Sequence, residues 1–274
     1  MVALGRTAHP DRDHLRPVRV ARSGTVVLRH VAGGRSILVG TPSGVTLAPE
    51  GGAHQSITTP SIGLEQPNCI AWEPAFGHDL EWCFLEAMSR VGVPGGTSSY
   101  FRLSTRPIDP ALAAVPENPE LMERRRRQAV AGGYRITGHA PHAEDVTLVG
   151  VGAMMPEVTA AAESLRSQGV TAGVVCLTSP DLVFRSFQQR GNRTPGVGSD
   201  ILDLIFPADH PASLVTVPDG HPHTLSFLAA ARGNRIRCLR VSEFGQSSDL
   251  TDAYALHGID TGSIIDAALG LLGR

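Results

Sequence analysis

In the segment Gly44-Val45-Thr46-Leu47-Ala48-Pro49-Glu50-Gly51-Gly52-Ala53-His54-Gln55-Ser56, a carboxylate and an imidazole stand four residues apart with two glycines between them. Glu50 and His54 are a pair able to move protons at a bound molecule, because imidazole titrates near neutrality and a carboxylate accepts or orients protons. The paired glycines let backbone come close to a ligand. The same composition also builds an ordinary acidic turn. Glu50 and His54 are therefore the candidate catalytic residues.

Other patterns offer less. Gly150 and Gly152 close a strand-to-helix turn whose amides could hold a phosphate, but the third glycine is missing. Ala153-Met154-Met155 is bulky where a pyrophosphate would lie. Close strand–helix packing is the better reading. His221 and His223 flank Pro222 after Asp219-Gly220 without a third ligand at useful spacing, which reads as a turn and not a metal site. Asp249, Asp252 and Asp260 lie in a polar stretch near Gly245 and read as helix caps and loop contacts. All 24 basic residues are arginine. That excludes a Schiff-base lysine, a lysine general base and a GxxxxGK[ST] phosphate loop. Cys69, Cys83, Cys176 and Cys238 are widely spaced, with no CxxC, and read as buried thiols of a reducing compartment.

The elements that would position these residues follow from short apolar runs broken by glycine and proline, the pattern of buried parallel strands. Strands are expected at 36–40, 68–72 and 99–103, with a helix between 74 and 91 carrying Phe76, Leu80, Phe84, Leu85, Met88 and Val91 on its buried side. Strand, helix, strand in that order predicts a parallel βαβ unit. Four prolines within 107–123 read as a linker, followed by a solvated run, Arg124–Arg127, that could also serve as an interdomain contact. Beyond it, strands are expected at 146–152, 171–177, 212–217 and 237–241. Helices are expected at 155–168 (capped by Gly169), near 224–231 and at 261–272, with a loop-rich stretch over 179–211. The whole reads as two α/β domains.

The 274 residues suit about two domains. Apolar residues are 42% and charged residues 18% of the chain, a globular balance. A net charge of -2 provides no electrostatic footprint for nucleic acid. Aromatics are only 5%, whereas 30 glycines and 20 prolines predict many tight turns. Residues 1–25 have no apolar stretch of signal-peptide length, and Pro10, Asp11, Asp13 and Pro17 oppose an amphipathic transit helix. They read as a loosely ordered leader. No run approaches the roughly 20 apolar residues of a membrane helix, so a cytoplasmic location with no membrane partner is expected.

The stretch LVGTPSGVTLAPEGGAHQS resembles the pyrimidine-domain loop of the transketolase and pyruvate dehydrogenase E1 superfamily, which uses thiamine diphosphate. PNCIAWEPAFGHDLEWCFLEAM resembles the next strand and helix, and YFRLSTRPI the strand that closes that domain. GGYRI, DVTLVGVGAMMPEVTAAAESLRSQGV, VVCLTSPDLVF and VSEFGQSSDLTDAYALHGIDTGSIIDAALGLL look like successive landmarks of the superfamily's C-terminal domain. The resemblance implies a partial pyrimidine domain at 26–110, a linker at 111–124 and a transketolase C-terminal-like domain at 125–274. It makes His54 the active-site histidine and Glu50 an acidic neighbour on the same loop. The chemistry it implies is attack of the thiazolium ylid on a carbonyl carbon and C–C cleavage, with the cofactor as electron sink. Where transketolases carry cations for a sugar phosphate, this chain has Pro42, Ile62 and Leu64. That favours a small 2-oxo acid and the E1 branch.

No GDG-type motif for diphosphate and Mg is present, and no aromatic stands in 24–31 to stack on the pyrimidine. The resemblance therefore implies thiamine diphosphate and Mg, but not their binding by this chain alone. Implied partners are a second copy in a homodimer or a chain carrying the diphosphate-binding domain, and a dihydrolipoyl acyltransferase core. A transketolase-like fragment and a non-catalytic assembly module are the alternatives. With so few strands, residues 26–110 should be marginal alone while 125–274 fold independently. Limited proteolysis is expected to leave a stable fragment beginning near residue 125, and its absence would contradict the division.

Overall fold

The computed structural model describes residues 34–41, 44–136, 143–189, 201–207 and 210–274. The expected leader, the stretch 24–31 and Pro42 lie outside the described residues, as does the side chain of Ile62.

The first sheet is made of β1 (Ile37–Gly40), β2 (Cys69–Trp72) and β3 (Ser98–Arg102), all parallel in the order β1-β3-β2. Between β1 and β2 the chain runs through three 3-10 turns and the single-turn helix α1 (Ile62–Glu65). Helix α2 (Gly77–Ser89) makes the crossover from β2 to β3, as the βαβ pattern predicts. Trp72 and Phe101 stack at 6.1 Å in a small core with Ile70, Cys83 and Ala87.

The buried side of α2 differs from the expectation. Asp79, Trp82, Cys83 and Ala87 are buried, Leu80 and Phe84 are half-buried, and Leu85 and Met88 are more than half exposed. The reason lies far along the chain. The inward face meets α3 (Pro119–Ala131) and β4 (Gly133–Arg135), where the Tyr134 hydroxyl donates to Asp79 at 2.9–3.0 Å. A polar partner supplied by tertiary structure turns an aspartate inward, which apolar periodicity does not register.

The stretch 107–123 holds a 3-10 turn, Pro110–Ala113, capped by Asp109, and the start of α3, capped by Asn118 with Pro119 in its first turn. The solvated reading of the arginine run fails at Arg125. This side chain is buried, donates to Ala113 O at 3.0 Å and lies 4.3 Å over the Tyr134 ring. Arg126 and Arg127 pair with Glu123 at the surface.

The second sheet has the order β4-β6-β5-β7-β8, with β5 (Val146–Val151), β6 (Ala172–Leu177), β7 (Ser213–Val217) and β8 (Ile236–Cys238) parallel and β4 antiparallel to β6. Strands β5 and β6 are buried along their whole length. Val146 and Leu148 point to one core, Val149 and Val151 to the other, so helices cover both faces. On the first face lie α4 (Met155–Ser167) and α10 (Thr261–Leu272). On the second lie α5 (Pro180–Gln189), α6 (Ile201–Ile205), α7 (His223–Ser226) and α8 (Ala229–Arg232). A Cβ on Gly150 would stand 2.6 Å from Met155 Sδ, which bears out the packing role of this glycine.

Four expectations differ from the structure. The loop-rich stretch 179–211 contains α5 and α6, and Ser179 Oγ accepts from the Leu182 amide at 3.2 Å to cap α5. The helix near 224–231 is broken into α7 and α8, and β8 ends at Cys238 instead of Val241. The polar stretch after Gly245 contains α9 (Leu250–His257). Asp249 and Asp260 are, as expected, the caps of α9 and α10. Cys69, Cys83 and Cys176 are buried free thiols, and burial pushes Cys69 up to about 11. No described helix is long and apolar enough to cross a membrane.

One apolar cluster runs from Val45, Phe76, Trp82 and Ala113 into β5, β6, α4 and α10. Polar ties join the same parts: Glu73 N donates to Thr178 O at 2.8 Å, and Ala71 N to Asp181 at 3.2 Å. Burial pushes the carboxyls of Asp79 and Asp181 up to about 6 from 3.8, opposed at Asp79 by the Tyr134 bonds and at Asp181 by Arg185. The folded chain therefore holds these protons more tightly than the unfolded chain. That contribution to stability is complete below 3.8 and is lost as pH rises through about 6. Urea unfolding is expected to show the chain less stable at about pH 7.5 than at about pH 5, by about 1 kcal/mol from Asp79, and Asp79→Asn should shrink the difference.

Candidate functional site

The segment 44–56 folds as two consecutive 3-10 turns, Val45–Glu50 and Gly52–His54, joined at Gly51 with φ 117°. Pro49 and the glycines prevent a continuous α-helix. Val45, Thr46, Leu47 and Ala48 are buried, whereas Glu50 and His54 are exposed. The structure brings the two candidates onto one short surface segment. Among the described residues, neither side chain has a hydrogen-bond or ion-pair partner. A Cβ on Gly52 would stand 2.3 Å from Gly245 O, so this glycine seats the segment on the chain after β8.

Beneath the segment lies a polar junction that sequence reasoning missed. Asp219, fully buried just beyond β7, accepts from the amides of Gly44 at 3.0 Å, Val45 at 2.8 Å and Thr46 at 3.2 Å, and from the Thr46 hydroxyl. The Tyr254 hydroxyl on α9 lies 2.7 Å from Thr46 Oγ1 and donates to it, since the Thr46 proton goes to Asp219. Arg106 binds Tyr254 OH at 3.3 Å and both Glu157 oxygens at 2.7 and 2.9 Å.

Arg102 at the end of β3 is the second hub. It pairs with Glu73 and donates to Thr59 Oγ1 at 3.0 Å, Ser56 O at 3.4 Å and Asp219 O at 2.8 Å. Burial pushes the Glu73 carboxyl up from its ordinary range, and the Arg102 guanidinium works against that rise. Gly152, at φ 51°, is packed against Glu73, where a Cβ would come within 2.8 Å of the side chain. The available signal for these residues was a charge adjoining or ending each buried strand, at Glu73, Arg102 and Asp219. Their partners were not visible, because Asp219 and its amides are 173–175 positions apart.

His221 and His223 sit in an exposed turn with their Nδ1 atoms 2.6 Å apart. Among the described residues, no group of three or more His, Cys, Asp or Glu side chains could hold a metal. The turn at Gly150 and Gly152, where a phosphate could lie, is filled by Met155, Val158 and Glu73. The described residues therefore do not fit a diphosphate and its Mg. What they do fit is a displayed imidazole and carboxylate on a firmly seated backbone. Leu64, one of the positions where a sugar-phosphate site would need a cation, is half-buried.

Comparison with known proteins agrees with this architecture. Residues 132–260 match the transketolase-like C-terminal domain family. The pyruvate dehydrogenase E1 component of Escherichia coli K12 is 25% identical over 248 residues, 88% of this chain and 27% of that protein. Transketolase 1 of Candida albicans is 29% identical over 157 residues, 57% of this chain and 20% of that protein. A transketolase structure from Pichia stipitis superposes with a TM-score of 0.69 at 18% identity, covering 93% of this chain and 32% of that one. A split-gene transketolase described as an inactive β4 tetramer gives a TM-score of 0.56 at 15% identity, covering 86% of this chain and 67% of that one. The chain thus spans about a quarter of the E. coli relative's length. Residues 132–260 are thus similar to the transketolase-like C-terminal domain family, in a chain similar to part of pyruvate dehydrogenase E1 components and of transketolases.

Proposed function

We propose that this chain is a β-like subunit of a thiamine-diphosphate enzyme acting on a small 2-oxo acid. In this reading Glu50 and His54 are its catalytic residues, and a separate chain holds the diphosphate and Mg. The observation that carries the reading is the segment 44–56, seated at its start on the buried Asp219 carboxylate while the imidazole and carboxylate are left exposed. Such an arrangement presents the pair to something bound against the surface. The division into a partial pyrimidine domain at 26–110, a linker at 111–124 and a C-terminal domain at 125–274 belongs to the same proposal. So do a cytoplasmic location, assembly as a homodimer or with the diphosphate-binding chain, and docking to a dihydrolipoyl acyltransferase core.

Relatives of both E1 and transketolase type support thiamine-diphosphate chemistry in general. The choice of a 2-oxo acid over a sugar phosphate rests on the apolar Leu64 where a cation is needed to bind phosphate. A transketolase-like activity is supported equally by the Candida relative. The filled turn at Gly150 and Gly152 favours a third reading, an assembly module without chemistry of its own.

The test is calorimetric titration of thiamine diphosphate and Mg into the full chain, with and without a partner chain bearing a diphosphate-binding domain, followed by a 2-oxo acid decarboxylation assay. Binding and turnover only in the presence of the partner are expected. His54→Ala should lower kcat by about 100-fold or more while the cofactor still binds. Binding to the chain alone, or none with any partner, would contradict the proposal.

A further inference from the structure

The 3-10 turn Val45–Glu50 has no side-chain cap of its own, because its N-cap residue is Gly44. The first amides of such a turn need acceptors, and burial removes water from that role. Asp219 takes the role from a distant part of the chain. Three successive N–H groups converge on its carboxylate, the geometry of a backbone nest around an anion. Gly44 is the residue that permits the approach, since a Cβ there would stand 2.3 Å from Asp219 Oδ1.

The other flank is held from the same domain. Ser248 N donates to Ala48 O at 3.3 Å, Gln55 Nε2 donates to Gln246 O at 3.1 Å, and Gly52 lies against Gly245. Short 3-10 turns carry weak internal hydrogen bonding, so the path of this segment is imposed by what it rests on. The residues between the two anchored flanks include Glu50 and His54, whose side chains meet no hydrogen-bond or ion-pair partner among the described residues.

From this geometry we infer that Asp219, acting through Thr46 and seconded by Tyr254, is a positioning residue that sets where Glu50 and His54 stand. The C-terminal domain is thereby part of the reaction site's support and not only an assembly element. The inference rests on the reading of Glu50 and His54 as the reacting pair. Misplacement of reacting groups by a small distance is enough to lower turnover substantially.

The experiment is amide hydrogen exchange on the full chain without cofactor, together with the imidazole NMR signals of His54, for Asp219→Asn, Thr46→Val and Thr46→Ser. Asp219→Asn and Thr46→Val are expected to speed exchange across residues 45–55 by about tenfold or more and to shift or broaden the His54 signals, with exchange in β5 and β6 unchanged. Thr46→Ser, which keeps the hydroxyl, should restore the native pattern. Unchanged exchange in the segment would overturn the inference. Equal acceleration throughout the chain would also overturn it, because Asp219 would then hold the fold and not the segment. In an active complex, the two disruptive variants should lower kcat by about tenfold with KM little changed. Unaltered kcat with a loosened segment would overturn the positioning role. Absence of any activity in the native complex would count against the proposed function, while the exchange pattern would still decide the role of Asp219.

Discussion

A carboxylate sealed from solvent at the end of β7 is tolerable only where donors surround it, and Asp219 finds them in the backbone of Gly44, Val45 and Thr46 and in the Thr46 hydroxyl. The dependence is mutual. The amides would be orphaned without the carboxylate, and the carboxylate would be an uncompensated buried group without the amides. Arg102 extends the junction by binding the Asp219 carbonyl while pairing with Glu73, so the ends of β2, β3 and β7 meet at one polar knot. Around it, Val45 and Phe76 join the apolar cluster of the second sheet. The two sheets are therefore joined both by apolar burial and by polar contacts.

This coupling explains how a small surface segment can be both irregular and well placed. Glycine and proline make residues 44–56 unable to form an α-helix, and the buried hydrogen bonds replace the order that a helix would have supplied. The buried anchors lie beneath the segment, and Glu50 and His54 lie on its exposed side. Glycines do different jobs along the way: Gly44 and Gly52 permit close approach, whereas Gly51 adopts a φ of 117° that side chains resist.

The parallel strands and the helices α4 and α10 were legible in the sequence, since buried runs such as Val146–Val151 and the apolar spacing of these two helices are local signals. The position of Glu50 and His54 on one short irregular segment was also legible, from glycine and proline chemistry. Other features depended on partners remote in the chain. Asp79 turns inward because Tyr134 is there to bind it, and Arg125 is buried because Ala113 and Tyr134 receive it. The Ser-Pro-Asp start of α5 was a readable cap that the surrounding loop composition obscured. Asp219 read as a turn residue before Gly220, and only the fold reveals the amides that it gathers.

Asp219 and Thr46 form one interaction joining the segment to the second sheet. A double-mutant cycle of Asp219→Asn and Thr46→Val, measured by urea unfolding, tests it most directly. A coupling of about 1–3 kcal/mol is expected, because each substitution removes the same bond. Effects that add to within about 0.5 kcal/mol would contradict it, since the two residues would then act independently.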